Sequence, residues 1–276
     1  MKLICDNLCK SVDKNKPQMI MEKHQKIATL LSNRNIQGDY YKAVFQVEDI
    51  PRLAQPGQFI HLLLPDFQQH VLRRPFSIYD TAPEQGQLSI IYKVVGEGTA
   101  KLAQLAADAR IDMLGPLGTP FSQLPADAVI VAGGYGCAAT FLAAKLAKQK
   151  PTVLIGGRSK LDILLKDEYE AVGCKVLIST DNGSMGTKGL VTSLLPQIPK
   201  IKWLISCGPI PLLKALANIM QQQSIPGELS LDKAMCCGVG ACFACVTKVK
   251  ADNADGWRYA RVCKEGPVFP ADQLVF

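Results

Sequence analysis

Three cysteines in the stretch KAMCCGVGACFACVTK, Cys237, Cys242 and Cys245, stand as C-x4-C-x2-C, and Cys263 follows after seventeen intervening residues. With Cys236, the stretch packs four cysteines and two glycines where an ordinary globular domain would carry about one cysteine, so the thiols hold a metal, close disulfides or fill a core. The spacing is that of plant-type [2Fe-2S] ligation, in which three thiolates crowd one loop and a distant fourth closes the cluster. Gly238 and Gly240 suit such a loop, because a side chain there would keep the backbone N–H groups from reaching the sulfurs. Four thiolates around two ferric ions leave negative charge, which those N–H dipoles offset. Zinc is the main competitor, although its four-cysteine sites usually pair C-x2-C with a second short pair; unligated thiols are the third option. Cys236 reads as a small neighbour of the first ligand.

The compartment bears on this reading. No apolar run approaches the ~20 residues that span a bilayer, and the start MKLICDNLCKSVDKNK has no apolar signal core. A cytoplasmic protein with no membrane association is expected, and there clustered thiols favour metal over disulfides. The net charge of +7 comes without a basic block or an aromatic-basic stripe, which argues against nucleic acid and fits phosphate-bearing cofactors.

The rhythm of the chain divides it. Residues 1–21 are polar, lysine-rich and aperiodic, and read as a mobile N-terminal extension. Over 22–123, short β-rich runs such as YKAVFQV, GQFIHLLL and QLSIIYKVV are separated by Pro and Gly, the pattern of an antiparallel barrel. Over 124–225, apolar runs (AVIVAGG, TVLIGG, KVLIST, KWLISCG) alternate with helical stretches at 138–149 and 161–173, which predicts a parallel α/β sheet covered on both faces. Residues 226–276 are cysteine- and glycine-rich and too short for an apolar core of their own; a metal would supply what that core lacks.

Nucleotide chemistry is written at the strand ends. In RRPFSIYD, Arg74 and Phe76 share one face of an extended strand, so a cation and a ring can address one dinucleotide, although an Arg-Pro pair there is also a common structural device. In IYKVVGEGTAKLAQLA a strand runs into a helix at Gly98 and Thr99, where free N–H groups attract pyrophosphate; an ordinary capping threonine reads the same way. VAGGYGCAAT, with Gly133, Gly134 and Gly136, and SCGPIPLL, with Cys207, Gly208 and Pro209, follow strands at the edge where open α/β sheets bind ligands.

In this order the motifs resemble the ferredoxin-NADP reductase superfamily. The cysteine loop with CKEGPVF downstream, together with LGPLGTPF, resembles within it the family of electron-transfer subunits of class B dihydroorotate dehydrogenases. The resemblance covers residues 22–276 and implies an FAD-binding barrel, a nucleotide-binding α/β domain and a [2Fe-2S] module. It implies FAD held by Arg74, Pro75, Phe76, Ser77, Ile91, Tyr92, Lys93, Gly98 and Thr99, and a cluster ligated by Cys237, Cys242, Cys245 and Cys263. It further implies an FMN-containing catalytic subunit as partner, in a heterotetramer of two of each chain. Electrons from dihydroorotate would pass through the cluster and FAD to NAD+ in pyrimidine biosynthesis, with no general acid or base on this chain. Tyr135 and Ala139 depart from the family, where an aliphatic residue and a proline are common. Two other readings remain open here: a gamma-like subunit of a hydrogenase or ferredoxin-dependent NAD(P) oxidoreductase, and a non-enzymatic nucleotide-binding module with structural zinc.

Overall fold

The structure is a computed structural model that describes residues 24–65 and 72–276; the expected extension at 1–21 lies outside the described residues. The first unit is a seven-stranded antiparallel sheet built from β1 (His24–Gln37), β2 (Tyr40–Gln46), β3 (Phe59–Leu63), β4 (Arg74–Ser77), β5 (Asp80–Ala82), β6 (Gln87–Lys93) and β7 (Arg110–Leu117), in the order β4-β3-β7-β1-β2-β6-β5. Alternation turns Ala28, Leu30, Ala43, Phe45, Ile60 and Leu62 into one core. The sheet curls until its β4 edge faces β6, where the rings of Phe76 and Tyr92 meet edge-on at 5.7 Å. A short helix, α1 (Glu97–Ala103), follows β6.

The second unit is a sheet of β8 (Ala128–Gly133), β9 (Thr152–Gly157), β10 (Lys175–Thr180), β11 (Thr187–Lys188), β12 (Trp203–Cys207), β13 (Gly227–Ser230) and β16 (Val268–Pro270). All neighbours are parallel except β13 and β16. The unbroken apolar character of β8 has a direct cause: Val129 and Val131 face one hydrophobic cluster, while Ala128, Ile130 and Ala132 face another. Helices α2 (Gly136–Leu146), α3 (Lys166–Ala171) and α4 (Ile210–Gln222) cover the two faces. The helical stretch expected at 161–173 is shorter, because Leu165 takes φ 62° and separates a turn at Lys160–Asp162 from α3.

A three-stranded sheet, in the order β15-β14-β17, forms the end of the chain from β14 (Val246–Lys250), β15 (Trp257–Arg261) and β17 (Leu274–Val275). The division expected at 225/226 falls inside the second sheet, since β13 and β16 both hydrogen-bond into it. The physical reason is the missing core noted above: Cys245, Val249, Ala260, Val262 and Cys263 pack in one cluster with Val131 and Leu229 of the α/β sheet and Phe59 and Leu117 of the barrel. The cysteine-bearing segment thus borrows its core from both neighbours.

Candidate functional site

Three elements converge at the open edge of the barrel. Pro75, Phe76 and Ser77 of β4, Ile91, Tyr92 and Lys93 of β6, and Thr99 of α1 border one cleft with about 870 Å³ of empty space, and Cys207 closes its far side from β12. Arg74 lies beside it, over Gly98: a Cβ at Gly98 would come within 2.6 Å of Arg74 Nε. The Arg74 guanidinium, which also donates to the Leu72 carbonyl, thus lies against the first turn of a helix, the kind of place where positive charge gathers. The Thr99 hydroxyl is already engaged, accepting from the N–H groups of Val95 (2.9 Å) and Gly96 (3.1 Å) and donating to the Gly96 carbonyl (2.9 Å), so its work is to shape the loop. Tyr92 is buried and donates to Asn33 Oδ1 at 2.9 Å, while Asn33 in turn donates to the Leu102 carbonyl at 2.7 Å, tying α1 to the barrel.

The second expected group assembles at the carboxyl ends of adjacent strands β8 and β12. A Cβ at Gly136 would stand 2.2 Å from the Cys207 carbonyl oxygen, and a Cβ at Gly133 3.2 Å from both Pro209 and Leu212, so the glycine turn and the Cys207-Gly208-Pro209 turn touch. Gly134 takes φ +56°. Burial and the nearby Asp232 carboxylate push the Cys207 thiol up to about 12, which keeps it protonated. Tyr135 reaches across the cleft and donates to Asp232 Oδ2 at 2.6 Å.

The cysteine loop puts the four expected ligands at two depths. Cys245 and Cys263 are buried at 3% exposure each, whereas Cys237 is half-buried and Cys242 exposed. Backbone donors already point at sulfur: the N–H groups of Ala241 and Cys242 lie 3.3 and 3.4 Å from Cys237 Sγ, and that of Cys263 lies 3.3 Å from Cys245 Sγ. Burial works to raise the Cys237 thiol, but donation from Val239, Cys242 and Ala241 outweighs it and brings the pKa down to about 6. Cys263 moves the other way, to about 12, through burial and the neighbouring Cys245. Gly238 at φ +69° and Gly240 at φ +85° make the turns; a Cβ at Gly238 would strike the His61 ring at 2.5 Å, and one at Gly240 the Lys264 side chain at 2.7 Å. Arg261 fastens the loop by donating to the Gly240 carbonyl at 3.1 Å.

These features fit thiolates around a cluster, since the donor set is all sulfur and the N–H groups offset its charge. Among the described residues, no three His, Cys, Asp or Glu side chains come together as a single ion would require.

Some residues of the site went unread in the sequence. Asp232, Met235 and Ser230 line the cleft from the cysteine-bearing end of the chain, and Phe59 from β3. His61 is fully buried, and among the described residues neither ring nitrogen is hydrogen-bonded. Burial, reinforced by the charge of Arg73, lowers its pKa to about 4. The only signal for it was a histidine inside the apolar run GQFIHLLL.

The comparisons with known proteins agree with the geometry. Residues 28–121 match the oxidoreductase FAD-binding domain, and residues 232–275 match the iron-sulfur cluster binding domain of dihydroorotate dehydrogenase B. The solved structure of an NADH-dependent reduced ferredoxin-NADP oxidoreductase, described for flavin-based electron bifurcation, superposes with TM-score 0.80 at 27% identity over 90% of each chain. An Amycolatopsis cytochrome P450 reductase shares the fold at TM-score 0.64 and 19% identity, over 76% of this chain and 69% of that one. Fold and site together define an FAD- and iron-sulfur-dependent oxidoreductase of the ferredoxin-reductase type. Relatives from Desulforamulus reducens (39% identical, 86% of this chain and 92% of theirs) and Fusobacterium nucleatum (36%, 89% and 96%) are both named dihydroorotate dehydrogenase B (NAD(+)), electron transfer subunit. One from Shouchella clausii bears the same name at 35% identity, over 92% of this chain and its own full length. The chain belongs to this family of dihydroorotate dehydrogenase B electron-transfer subunits.

Proposed function

We propose that Cys237, Cys242, Cys245 and Cys263 ligate the [2Fe-2S] cluster and that the chain works in the cytoplasm. Its partner is an FMN-containing subunit that oxidises dihydroorotate, in a heterotetramer of two of each chain. When bound, FAD and the cluster supply one-electron exchange with the partner and hydride exchange with NAD+. The chain's own residues position and tune. Arg74 neutralises the pyrophosphate above Gly98, Phe76 and Tyr92 line the FAD cleft, and the touching turns at Gly133–Gly136 and Cys207–Pro209 admit the nicotinamide nucleotide. The chemistry needs no general acid or base on this chain, and two candidates in the cleft are unsuited to that work: Cys207 stays a neutral thiol and the Thr99 hydroxyl is engaged within its own loop.

The observation that carries this reading is continuity. Phe59, which lines the flavin cleft, and the buried pair Cys245 and Cys263 belong to one hydrophobic cluster, so the two redox sites share a single packed wall. Cys242, the exposed member of the set, stands at the surface, where a partner would dock. Co-purification with a dihydroorotate-oxidising subunit tests it: the complex is expected to reduce NAD+ with dihydroorotate, and failure to associate would count against it. The similarity to the NADH-dependent reduced ferredoxin-NADP oxidoreductase keeps a second reading in view. It would gain if NADH-reduced protein passed electrons to ferredoxin faster than the complex exchanged them with dihydroorotate.

A further inference from the structure

His61 sits where the barrel meets the cysteine loop. Along β3, Ile60 and Leu62 point into the barrel core, while Phe59 and His61 point the other way. The two rings on that face lie 5.6 Å apart. The imidazole is 0% exposed, and the edge carrying both nitrogens faces Gly238: a Cβ there would be 2.5 Å from Cε1, 2.7 Å from Nδ1 and 2.9 Å from Nε2. Among the described residues, neither nitrogen has a hydrogen-bond partner. A neutral imidazole carries one N–H, and leaving that donor unmet in the interior is unfavourable enough that buried polar groups are rarely found so. Gly238 follows Cys237 directly and, without a side chain, leaves the ring edge facing bare loop.

We infer that His61 is the flavin domain's donor to the cluster: its N–H is met by a sulfur, either of the Cys237 thiolate or of the inorganic sulfide, once the cluster is in place. The inference rests on the ligand assignment proposed above. His61 is a positioning residue; it ligates no iron and touches no substrate. A hydrogen bond to sulfur stabilises the more negative, reduced cluster, so His61 raises the reduction potential. It does so from the strand that also carries Phe59 into the flavin cleft, which makes one short strand a party to both redox sites.

Two measurements on the intact, cofactor-loaded protein test it. In the first, His61→Leu and His61→Asn are compared by EPR-monitored potentiometric titration. Leu is expected to shift the cluster's electron-accepting equilibrium about tenfold toward oxidised, a fall of about 59 mV for one electron, and Asn, which keeps an N–H donor, to recover part of it. An unshifted potential in His61→Leu overturns the inference. The second needs no variant: wild-type protein grown on 15N-histidine is reduced and examined by pulsed EPR. A weak 15N coupling to the cluster is expected. A two-iron EPR signal without that coupling overturns the role of His61 alone, as would a ring satisfied by water, whereas the absence of any two-iron signal overturns the ligand assignment and the inference with it.

Discussion

Gly136 offers the sharpest test of how the nucleotide edge is built. A methyl at this position would lie 2.2 Å from the Cys207 carbonyl oxygen, 2.6 Å from its carbonyl carbon and 3.0 Å from Gly208 N. All three are backbone atoms at the end of β12, which is paired on both sides, to β8 and to β13. Nothing flexible can move aside, so the helix or the strand has to shift by roughly an ångström. Overpacking of this kind costs about 1–3 kcal/mol, and the backbone contact puts Gly136→Ala at the upper end. The better helix propensity of alanine offsets up to about 1 kcal/mol, because Gly136 does not need a positive φ. The net is a loss of about 2 kcal/mol, or roughly 4–8 °C in Tm for a chain of this size. Thermal unfolding followed by circular dichroism reads the stability, and NADH reduction of a small-molecule acceptor reads the site; KM for NADH should rise while FAD content holds. Gly96→Ala is the control, since a Cβ there meets nothing within 4 Å. If Gly136→Ala matched the wild type in Tm and KM, the two turns would not be in contact and the account of this edge would be wrong.

Other expectations follow from the same contacts. Arg74→Ala should weaken FAD binding at least about tenfold, or 1.4 kcal/mol, as measured by flavin fluorescence on dilution; unchanged retention would contradict Arg74 as the pyrophosphate's partner above Gly98. Gly240→Ala adds a side chain at φ +85°, a strain of about 1–2 kcal/mol, and should lower iron content while leaving flavin absorbance intact. His61 has a folded pKa of about 4, below its ordinary 6.5, so the unfolded chain takes up the proton first as pH falls; its contribution is full above 6.5 and lost toward 4. Between pH 7.5 and 5, wild type should therefore lose about 2 kcal/mol more than His61→Leu in urea unfolding, and equal losses would contradict the buried, neutral ring.

Much of this was legible in the sequence where one local rule decides the outcome. The C-x4-C-x2-C loop with its glycines, the apolar run of β8 and the Arg74–Ser77 strand each carry their chemistry within a few residues; Pro75, Phe76 and Ser77 line the cleft, and Cys245 shares a hydrophobic cluster with Val131 of β8. What stayed hidden depends on distant neighbours. The membership of β13 and β16 in the α/β sheet follows from a cysteine-bearing segment with too little core of its own. The break before α3 rests on a leucine at positive φ, which no propensity foretells. Tyr135, expected only as a departure from the aliphatic residue common in the family, has a partner at Asp232, 97 residues away, and that hydrogen bond spans the cleft. His61 looked like one more residue of a β-rich run until the fold set it against Gly238.

The claim at the centre is that this chain relays electrons between a partner's flavin and NAD+ through a cluster held by the cysteine loop. Cys242 is the exposed member of the set, so replacing it perturbs no packed core. In the complex with the dihydroorotate-oxidising subunit, Cys242→Ser should keep FAD absorbance, lose the two-iron EPR signal and lose dihydroorotate-driven NADH formation. Full coupling in that variant, with FAD bound and the iron signal unchanged, would contradict the account.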